Sequence, residues 1–455
     1  MLKRKIYKKI EDFYHDNSRK ALMITGARQV GKSYIIEKFG KAEYEHFIKV
    51  DFIEHPEYIS ALQGANSADD ILIRLSALFG DQMVPGKTMI FFDEVQECKE
   101  IITQIKYLVL EESYVYILSG SLLGTVFKDI RSVPVGYMDI IRMYPLDFEE
   151  FARANGVGDA VFEALRKRFK SRTPIDDFVN KRMLELFELY LIVGGMPAAV
   201  DTYLKTKNLY AVAQEQHAII ELYKKDIAKY DHEEKLYLDE IFDLIPSELN
   251  AKNKRFILKN LNENAKYSRY SNSFLWLKNA GVALPVHIVD EPKLPLLLSK
   301  ATNLFKLFSN DVGLLAAQYG SDNIQLRILK HETSINFGAI YENAAAQELQ
   351  AHGFNLYFYN SKKFGELDFV IEHNGKVLPI EIKSGKDYYR HNAIDNVLAC
   401  REYDIPEAYV FCTGNIEASE NIIYYPIYML MFLEKEAHNE EIIFNSDFSD
   451  LNGTR

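Results

Sequence analysis

A glycine-containing loop between an apolar run and a helical run decides the fold of this chain. Residues 22–39 read Leu22-Met23-Ile24-Thr25-Gly26-Ala27-Arg28-Gln29-Val30-Gly31-Lys32-Ser33-Tyr34-Ile35-Ile36-Glu37-Lys38-Phe39. The pattern G-x-x-x-x-G-K-[ST] between a strand and a helix is typical of a loop whose backbone N–H groups surround phosphates. Its two glycines permit backbone conformations that side chains forbid. We predict a nucleotide phosphate site here, and the alternative is an ordinary strand-to-helix turn.

Each residue of the loop has an expected role in that site. The main chain would bind phosphates at the positive end of the following helix, and Lys32 would reach the β- and γ-phosphates. Ser33 would ligate magnesium. The predicted nucleotide-binding residues of the loop are Gly26, Ala27, Arg28, Gln29, Val30, Gly31, Lys32 and Ser33.

Two further apolar runs end in polar residues. Thr88-Met89-Ile90-Phe91-Phe92 leads into Asp93 and Glu94. We expect Asp93 to hold magnesium through water and Glu94 to polarise the attacking water as general base, although a core strand with a solvated acidic end has the same pattern. The run from Tyr114 ends at Ser119, which is predicted to contact the γ-phosphate or the attacking water, or to form a plain strand-end turn.

Length, composition and charge bound the remaining possibilities. The 455 residues predict two or three domains, and the hydrophobic content of 48% with 13% aromatic residues argues against disorder. A net charge of −11 excludes a nonspecific nucleic-acid binder as a whole molecule. The three cysteines have no metal-ligand spacing, and we find neither a signal peptide nor an apolar run of about 20 residues. We therefore expect a cytoplasmic protein with no membrane partner.

The first third of the chain alternates between strands and helices. This alternation through residue 121 predicts a parallel α/β sheet with its ligand at the carboxyl ends of the strands. Residues 151–235 are mostly helical in pattern, and Gly194-Gly195 is predicted to be a helix-ending turn.

The chain resembles the prokaryotic AAA-like P-loop ATPases that carry a C-terminal DUF4143 domain. The resemblance runs to about residue 430 and implies that the chain binds ATP with Mg²⁺ and hydrolyses it. It rests on the phosphate loop and on four further motifs: Phe92-Asp93-Glu94, Leu118-Ser119-Gly120-Ser121, Tyr144-Pro145-Leu146-Asp147-Phe148-Glu149-Glu150-Phe151 and Gly194-Gly195-Met196-Pro197.

One position departs from the family pattern. Gly136-Tyr137 stands where many members have Gly-Arg, whose arginine is a natural arginine-finger candidate. Hydrolysis is therefore expected to be slow or to need a partner. Arg28 either acts as the finger from within the same chain or forms a structural salt bridge.

Residues 251–278 are basic in an otherwise acidic chain. They hold seven lysines and arginines against one acid, Glu263, with Phe274 and Trp276 between them. Helical runs followed by the apolar stretch 281–289 suggest a winged-helix unit, so we predict that this segment contacts DNA phosphates. The alternative is a solvated helix face with both aromatic residues in the core.

A second set of charged residues lies on a predicted hairpin. Residues 365–385 form two arms of alternating apolar and charged positions around an Asn-Gly turn. Alternation places Asp368, Glu381 and Lys383 on one face. A magnesium-dependent nuclease needs two carboxylates that hold metal and a lysine that stabilises charge. Glu342, on the preceding helix, would complete the metal ligands, which are Glu342, Asp368 and Glu381.

Three interpretations of the hairpin stay open. The arrangement is similar to the PD-(D/E)xK nuclease-like superfamily, which implies that Asp368, Glu381 and Lys383 are catalytic. A cross-strand salt bridge on a solvated hairpin has the same pattern. A nuclease fold that keeps these residues but serves as a binding platform is the third.

These observations predict an α/β protein in three parts. A P-loop NTPase parallel sheet occupies residues 1–155, a helical and winged-helix-like region 156–305, and a restriction-endonuclease-like domain with an acidic tail 306–455. We expect an ATPase coupled to a nuclease-like domain that cuts or binds DNA. The alternative is a non-catalytic nucleotide switch that binds a protein or DNA partner, and a second copy of the chain is a further candidate partner.

Overall fold

The structure covers parts of all three predicted regions. It is a computed structural model that describes residues 2–15, 19–120, 136–229, 232–251, 253–263, 266–320, 324–330 and 337–435. Ser121, Lys252 and the predicted acidic tail beyond residue 435 lie outside the described residues.

A five-stranded parallel sheet forms the first part of the molecule. Its strands are β1 (Ala21–Thr25), β2 (His46–Asp51), β3 (Thr88–Asp93), β4 (Val115–Gly120) and β5 (Met138–Arg142). They lie in the order β2-β3-β4-β1-β5, and all four neighbouring pairs are parallel. The predicted parallel α/β sheet is confirmed.

Helices cover both faces of this sheet, which explains the continuous apolar runs of its strands. Leu22 and Ile24 of β1 face one core, and Ala21 and Met23 face another. The helices in this part are α1 (Lys5–His15), α2 (Lys32–Glu43), α3 (Glu57–Leu62), α4 (Ala68–Phe79) and α5 (Lys99–Leu110).

The middle of the chain is helical, as predicted. Its helices are α6 (Phe148–Ala154), α7 (Asp159–Ser171), α8 (Asp177–Val193), α9 (Pro197–Thr206), α10 (Leu209–Ala228), α11 (His232–Asn250) and α12 (Tyr267–Ala280). Asp147 begins α6 with a capping box, in which its side chain accepts from the Glu150 N–H while the Glu150 carboxylate accepts from the Asp147 N–H. The family motif of residues 144–151, the Pro-Leu motif, therefore contains a helix start.

A mixed eight-stranded sheet forms the last part of the molecule, as expected for a C-terminal α/β domain. The strands are β6 (Ala283–Val289), β7 (Lys300–Ser309), β8 (Tyr357–Ser361), β9 (Gly365–His373), β10 (Lys376–Ile382), β11 (Ala408–Cys412), β12 (Glu417–Ser419) and β13 (Ile422–Pro426). Their order is β12-β13-β11-β10-β9-β8-β6-β7. The helices beside this sheet are α13 (Val312–Gln318), α14 (Ile324–Leu329), α15 (Phe337–Ala351) and α16 (Asn392–Leu398).

The hairpin of β6 and β7 connects the middle region to this sheet. It follows α11 and α12 as the wing of a winged helix would, but β6 also pairs in parallel with β8. The predicted boundary between residues 305 and 306 falls inside β7. One continuous apolar core extends from Ile6 in α1 to Leu433, so the three parts are packed against one another.

Candidate functional site

The loop between β1 and α2 has the backbone conformation expected from its two glycines. Gly26 and Gly31 adopt φ of +147° and +95°, and Gln29 between them has a φ of 65°. A Cβ on Gly26 would lie 2.2 Å from the carbonyl oxygen of Met143, so no side chain fits there. Gly31 precedes α2 without a side-chain cap, which leaves the first N–H groups of the helix to bind an anion.

Lys32 is held inside this loop. Its side chain is buried, and Nζ donates to the carbonyl oxygens of Gly26 and Ala27, each at 3.0 Å. Burial lowers the pKa of Lys32, while the charges of Asp93 and Glu94 oppose that shift. A phosphate would give the ammonium a charged acceptor in place of two neutral carbonyls.

The acidic end of β3 faces the loop. Asp93 is buried and accepts hydrogen bonds from the hydroxyls of Ser33 and Ser119. Lys49 Nζ lies 3.3 Å from Asp93 Oδ2 and 2.9 Å from Asp51 Oδ2. Burial raises the pKa of Asp93 even though these partners favour its ionised form. A serine hydroxyl beside a carboxylate fits the ligand preference of Mg²⁺.

Glu94 follows in a left-handed conformation, with a φ of 54°. Its N–H donates to Ser119 Oγ at 3.3 Å, and its Oε2 accepts from Gln96 Nε2 at 2.6 Å. The turn at the end of β3 thus directs this carboxylate toward the loop side of the sheet. Ser119 contacts Asp93 and the Glu94 main chain, so its closest partners are the acidic residues themselves.

These groups surround one cavity of about 510 Å³. Its wall includes Arg28, Lys32 and Ser33 of the loop together with Asp93 and Glu94 of the strand end. The structure therefore brings the predicted phosphate-binding and acidic residues together, and they fit a phosphate chain with a divalent cation. Sequence reasoning missed the other side of the wall, which includes Lys49, Asp51, Ile53, Glu54, Pro197 and Ala198.

Pro197 and Ala198 of α9 line the cavity, and hydrogen bonds fix the position of the glycine pair that precedes them. α8 ends before Gly194, as the predicted turn requires, and Gly195 N–H donates to Asp311 Oδ2 at 2.6 Å. Leu146 N–H donates to the Gly195 carbonyl at 2.7 Å. A Cβ would lie 2.2 Å from Asp311 on Gly194 and 2.0 Å from Leu146 on Gly195. Burial raises the pKa of Asp311 to about 6.

A buried ion network joins the Pro-Leu motif to the C-terminal domain. Asp147, Glu348 and His352 place their ligand atoms within 4.8 Å of one another, the only such group found among the described residues. His352 Nδ1 donates to the Leu433 carbonyl at 2.8 Å, and its Nε2 lies 3.7 Å from both carboxylates. Lys5 Nζ lies 2.7 Å from Asp147 Oδ2, so an ammonium already supplies a cation here.

The predicted nuclease residues also lie near one another. Glu342 is buried on α15, and Asp368 Oδ2 accepts from the Ile382 N–H at 2.9 Å. Lys383 Nζ lies 2.7 Å from Glu381 Oε1. Burial, and then the charge of Asp368, raise the pKa of Glu381 to about 8. The carboxylates of Asp368 and Glu381 are thus close enough to interact electrostatically. Among the described residues, however, the group compact enough to hold a metal ion is Asp147, Glu348 and His352.

Two further lysines occupy this cluster. Lys306 on β7 has a fully buried side chain whose Nζ lies 2.9 Å from Glu366 Oε1, 3.6 Å from Glu342 Oε2 and 4.0 Å from Asp368 Oδ1. Lys254 donates to the other oxygen of Glu342. Burial opposes the charge on Lys306, but the surrounding carboxylates outweigh it and raise its pKa. Lysines of the chain therefore contact carboxylates that the sequence assigned to a metal, and they offset part of that negative charge.

The basic segment divides between core and surface, and its Lys259, Lys266, Arg269 and Lys278 are exposed. Phe274 and Trp276 are buried in the core, and Lys254 points inward to Glu342. The end of α12 rests on the phosphate loop, because a Cβ on Gly281 would lie 3.0 Å from the Ala27 nitrogen. Sequence reasoning had no signal for this contact.

Family models match three consecutive parts of the chain. Residues 18–152 match an AAA domain, residues 184–325 match the domain of unknown function DUF8612, and residues 337–430 match the domain of unknown function DUF4143. The resemblance to AAA-like P-loop ATPases with a C-terminal DUF4143 domain is confirmed. A search of curated proteins found no match.

Three solved structures are similar to this chain at low sequence identity. The Walker-type ATPase paby2304 of Pyrococcus abyssi is 14% identical, with 70% of this chain and 96% of that chain covered and a TM-score of 0.43. C. elegans PCH-2 is 11% identical (45% and 60% covered, TM-score 0.26). The STAND protein with a tetratricopeptide repeat sensor, PH0952 from Pyrococcus horikoshii, is 13% identical (77% and 48% covered, TM-score 0.26). Within the described residues, the helices are too short or too polar to cross a bilayer.

Proposed function

We propose that this AAA-like P-loop ATPase with a C-terminal DUF4143 domain binds MgATP, hydrolyses it, and passes its nucleotide state to the C-terminal domain. The observation that carries the proposal is the convergence of Lys32, Ser33, Asp93 and Glu94 on one cavity. Each of these groups has the chemistry that phosphoryl transfer to water requires.

Each residue of the cavity has a separate role in the proposed hydrolysis. The loop N–H groups and Lys32 hold the phosphates, and Ser33 with Asp93 would hold magnesium. Glu94 accepts the proton of the attacking water, while the amide of Gln96 orients its carboxylate. A bound magnesium ion would neutralise charge on the β- and γ-phosphates.

The C-terminal domain is proposed to bind a partner rather than to cut DNA. Lys254 and Lys306 lie within 4 Å of carboxylate oxygens of Glu342, Glu366 and Asp368, so cations of the chain itself already offset part of the negative charge. A buried lysine with a raised pKa keeps its charge at neutral pH and competes with any divalent ion. This favours a switch with a protein or DNA partner.

A nuclease is the second candidate. Asp368 lies on β9, Glu381 on β10 and Lys383 directly after β10, and the Lys383 ammonium contacts Glu381 at 2.7 Å. In that case Lys254 would have to leave the cluster before metal enters. Residues 251–278 and the C-terminal domain would then contact DNA.

The ATPase proposal is tested with the full chain and three variants. Isothermal titration with MgATP and a phosphate-release assay should show binding and turnover in the wild type. Lys32→Ala should lose binding, while Glu94→Gln should bind but turn over about 100-fold more slowly. Lys41→Ala, on the exposed side of α2, is the matched control and should behave as wild type. Failure of the wild type to bind MgATP would refute the proposal.

The choice between switch and nuclease needs a cleavage assay. Linear, circular and branched DNA are incubated with the wild type and Lys383→Ala, in Mg²⁺ or Mn²⁺, with and without ATP. We expect no cleavage by either protein. Cleavage by the wild type that disappears in Lys383→Ala would establish the nuclease instead.

A further inference from the structure

Arg28 connects the phosphate loop to the helical region. It lies in the wall of the cavity, and its Nη1 donates to Asp226 Oδ1 at 2.5 Å. Asp226 lies in the last turn of α10, a 20-residue helix of the helical region. The salt bridge is about three-quarters or more buried on both sides, so it is formed in a partly dry environment.

The charges around Arg28 make this salt bridge responsive to an anion. Burial raises the pKa of Asp226, the Arg28 charge lowers it, and the Glu94 charge raises it again. The charge of Arg28 also contributes to the lowered pKa of Lys32 in the phosphate loop. Arg28 therefore contacts the Asp226 carboxylate and shares the cavity wall with the Glu94 carboxylate and the Lys32 ammonium. A triphosphate in the cavity would add an acceptor that binds a guanidinium through two hydrogen bonds.

A second contact ties the same helix to the loop and to the C-terminal sheet. Tyr223 OH donates to the Arg28 carbonyl at 3.2 Å, and Asn310 Nδ2 donates to Tyr223 OH at 3.3 Å. Asn310 directly follows β7 and precedes Asp311, which holds the glycine pair before α9. A change at the end of α10 would thus reach both the cavity wall and the C-terminal domain.

We propose that Arg28 is a nucleotide-responsive latch that exchanges Asp226 for the γ-phosphate of ATP. The inference rests on the proposed ATP site and adds its regulation. ADP lacks the γ-phosphate and leaves the latch with Asp226, whereas ATP draws Arg28 away and loosens the last turn of α10. Arg28 is thereby the residue that distinguishes the two nucleotides.

Asp226→Asn tests the latch in the full chain. Magnesium complexes of ADP and of the non-hydrolysable analogue adenylyl imidodiphosphate are titrated calorimetrically. Asp226→Asn should bind the analogue about five-fold more tightly than the wild type does, with ADP affinity unchanged. Arg28→Lys should lose most of the preference for the analogue. Asp243→Asn breaks the Lys224–Asp243 contact of the same helix away from the cavity and is the matched control.

Hydrogen exchange supplies a readout that does not depend on turnover. The analogue should increase exchange at residues 223–229 of the wild type but not of Arg28→Lys. Equal nucleotide preference and equal exchange in the wild type, Asp226→Asn and Arg28→Lys would overturn the latch while leaving the ATP site intact. If the wild type binds neither nucleotide, the proposed function and the latch are both refuted.

Discussion

Replacing Lys306 by methionine tests whether the C-terminal carboxylate cluster depends on a cation of the chain itself. Methionine has a similar length, so the substitution removes the charge without opening a large cavity. Lys306 is fully buried, with carboxylate oxygens of Glu366, Glu342 and Asp368 at 2.9, 3.6 and 4.0 Å. Removing one partner from a buried ion pair leaves an uncompensated charge and costs about 3–5 kcal/mol.

The cost should depend on pH in a defined direction. Burial raises the pKa of Glu342 above its unfolded value. Such a group stabilises the fold below its unfolded pKa, and that contribution is lost as pH rises through the folded pKa. Without Lys306 the pKa of Glu342 rises further. The variant should therefore lose about 3 kcal/mol of unfolding free energy at pH 7 and clearly less at pH 5.

Urea unfolding followed by circular dichroism at both pH values measures this effect. The double variant Lys306→Met/Glu342→Gln should recover more than half of the loss. Lys376→Met removes an exposed salt bridge with Asp404 in the same domain and should cost less than about 1 kcal/mol. A loss below about 1 kcal/mol for Lys306→Met at pH 7, or an equal loss at both pH values, would refute the reasoning.

Three further predictions follow from single contacts. Gly195→Ala should lower the melting temperature by about 10 °C or prevent folding, because its Cβ would lie 2.0 Å from a main-chain oxygen, whereas Gly158→Ala has no atom within 4 Å and should shift it by less than about 2 °C. Glu381 has its pKa raised to about 8 by burial, so wild-type stability should fall as pH rises from about 4.5 to 8, and Glu381→Gln should flatten that fall in urea titrations. Ser119→Ala removes a donor to Asp93 and should raise the Mg²⁺ concentration for half-maximal ATPase activity several-fold.

The geometry of the candidate nucleotide site was largely predictable because its determinants are local or follow from sheet geometry. The conformation of the loop depends on Gly26 and Gly31, which are close in sequence. Both have positive φ angles that favour glycine over residues with a side chain. Asp93 and Glu94 reach the loop because parallel strands bring their carboxyl ends to one edge. The turn at Gly194 was also predictable, since glycine ends helices for local reasons.

The remaining parts of the site depend on contacts between residues that are far apart in the sequence. Asp226 lies 198 residues from Arg28, and Glu342 lies 88 residues from Lys254. A lysine in a basic segment has the same pattern whether it faces solvent or a buried carboxylate, so the prediction of a DNA surface could not distinguish these cases. The assignment of the hairpin of β6 and β7 to the C-terminal sheet likewise required the pairing of β6 with β8.

The sequence by itself determined the phosphate loop, the acidic strand end and the parallel sheet that unites them, because backbone preference and strand polarity act over short ranges. Only the tertiary structure decided that Lys306 and Lys254 contact predicted metal ligands, and that Arg28 is paired with Asp226. The physical reason is that the electrostatic environment of a charged side chain depends on which distant elements are packed around it.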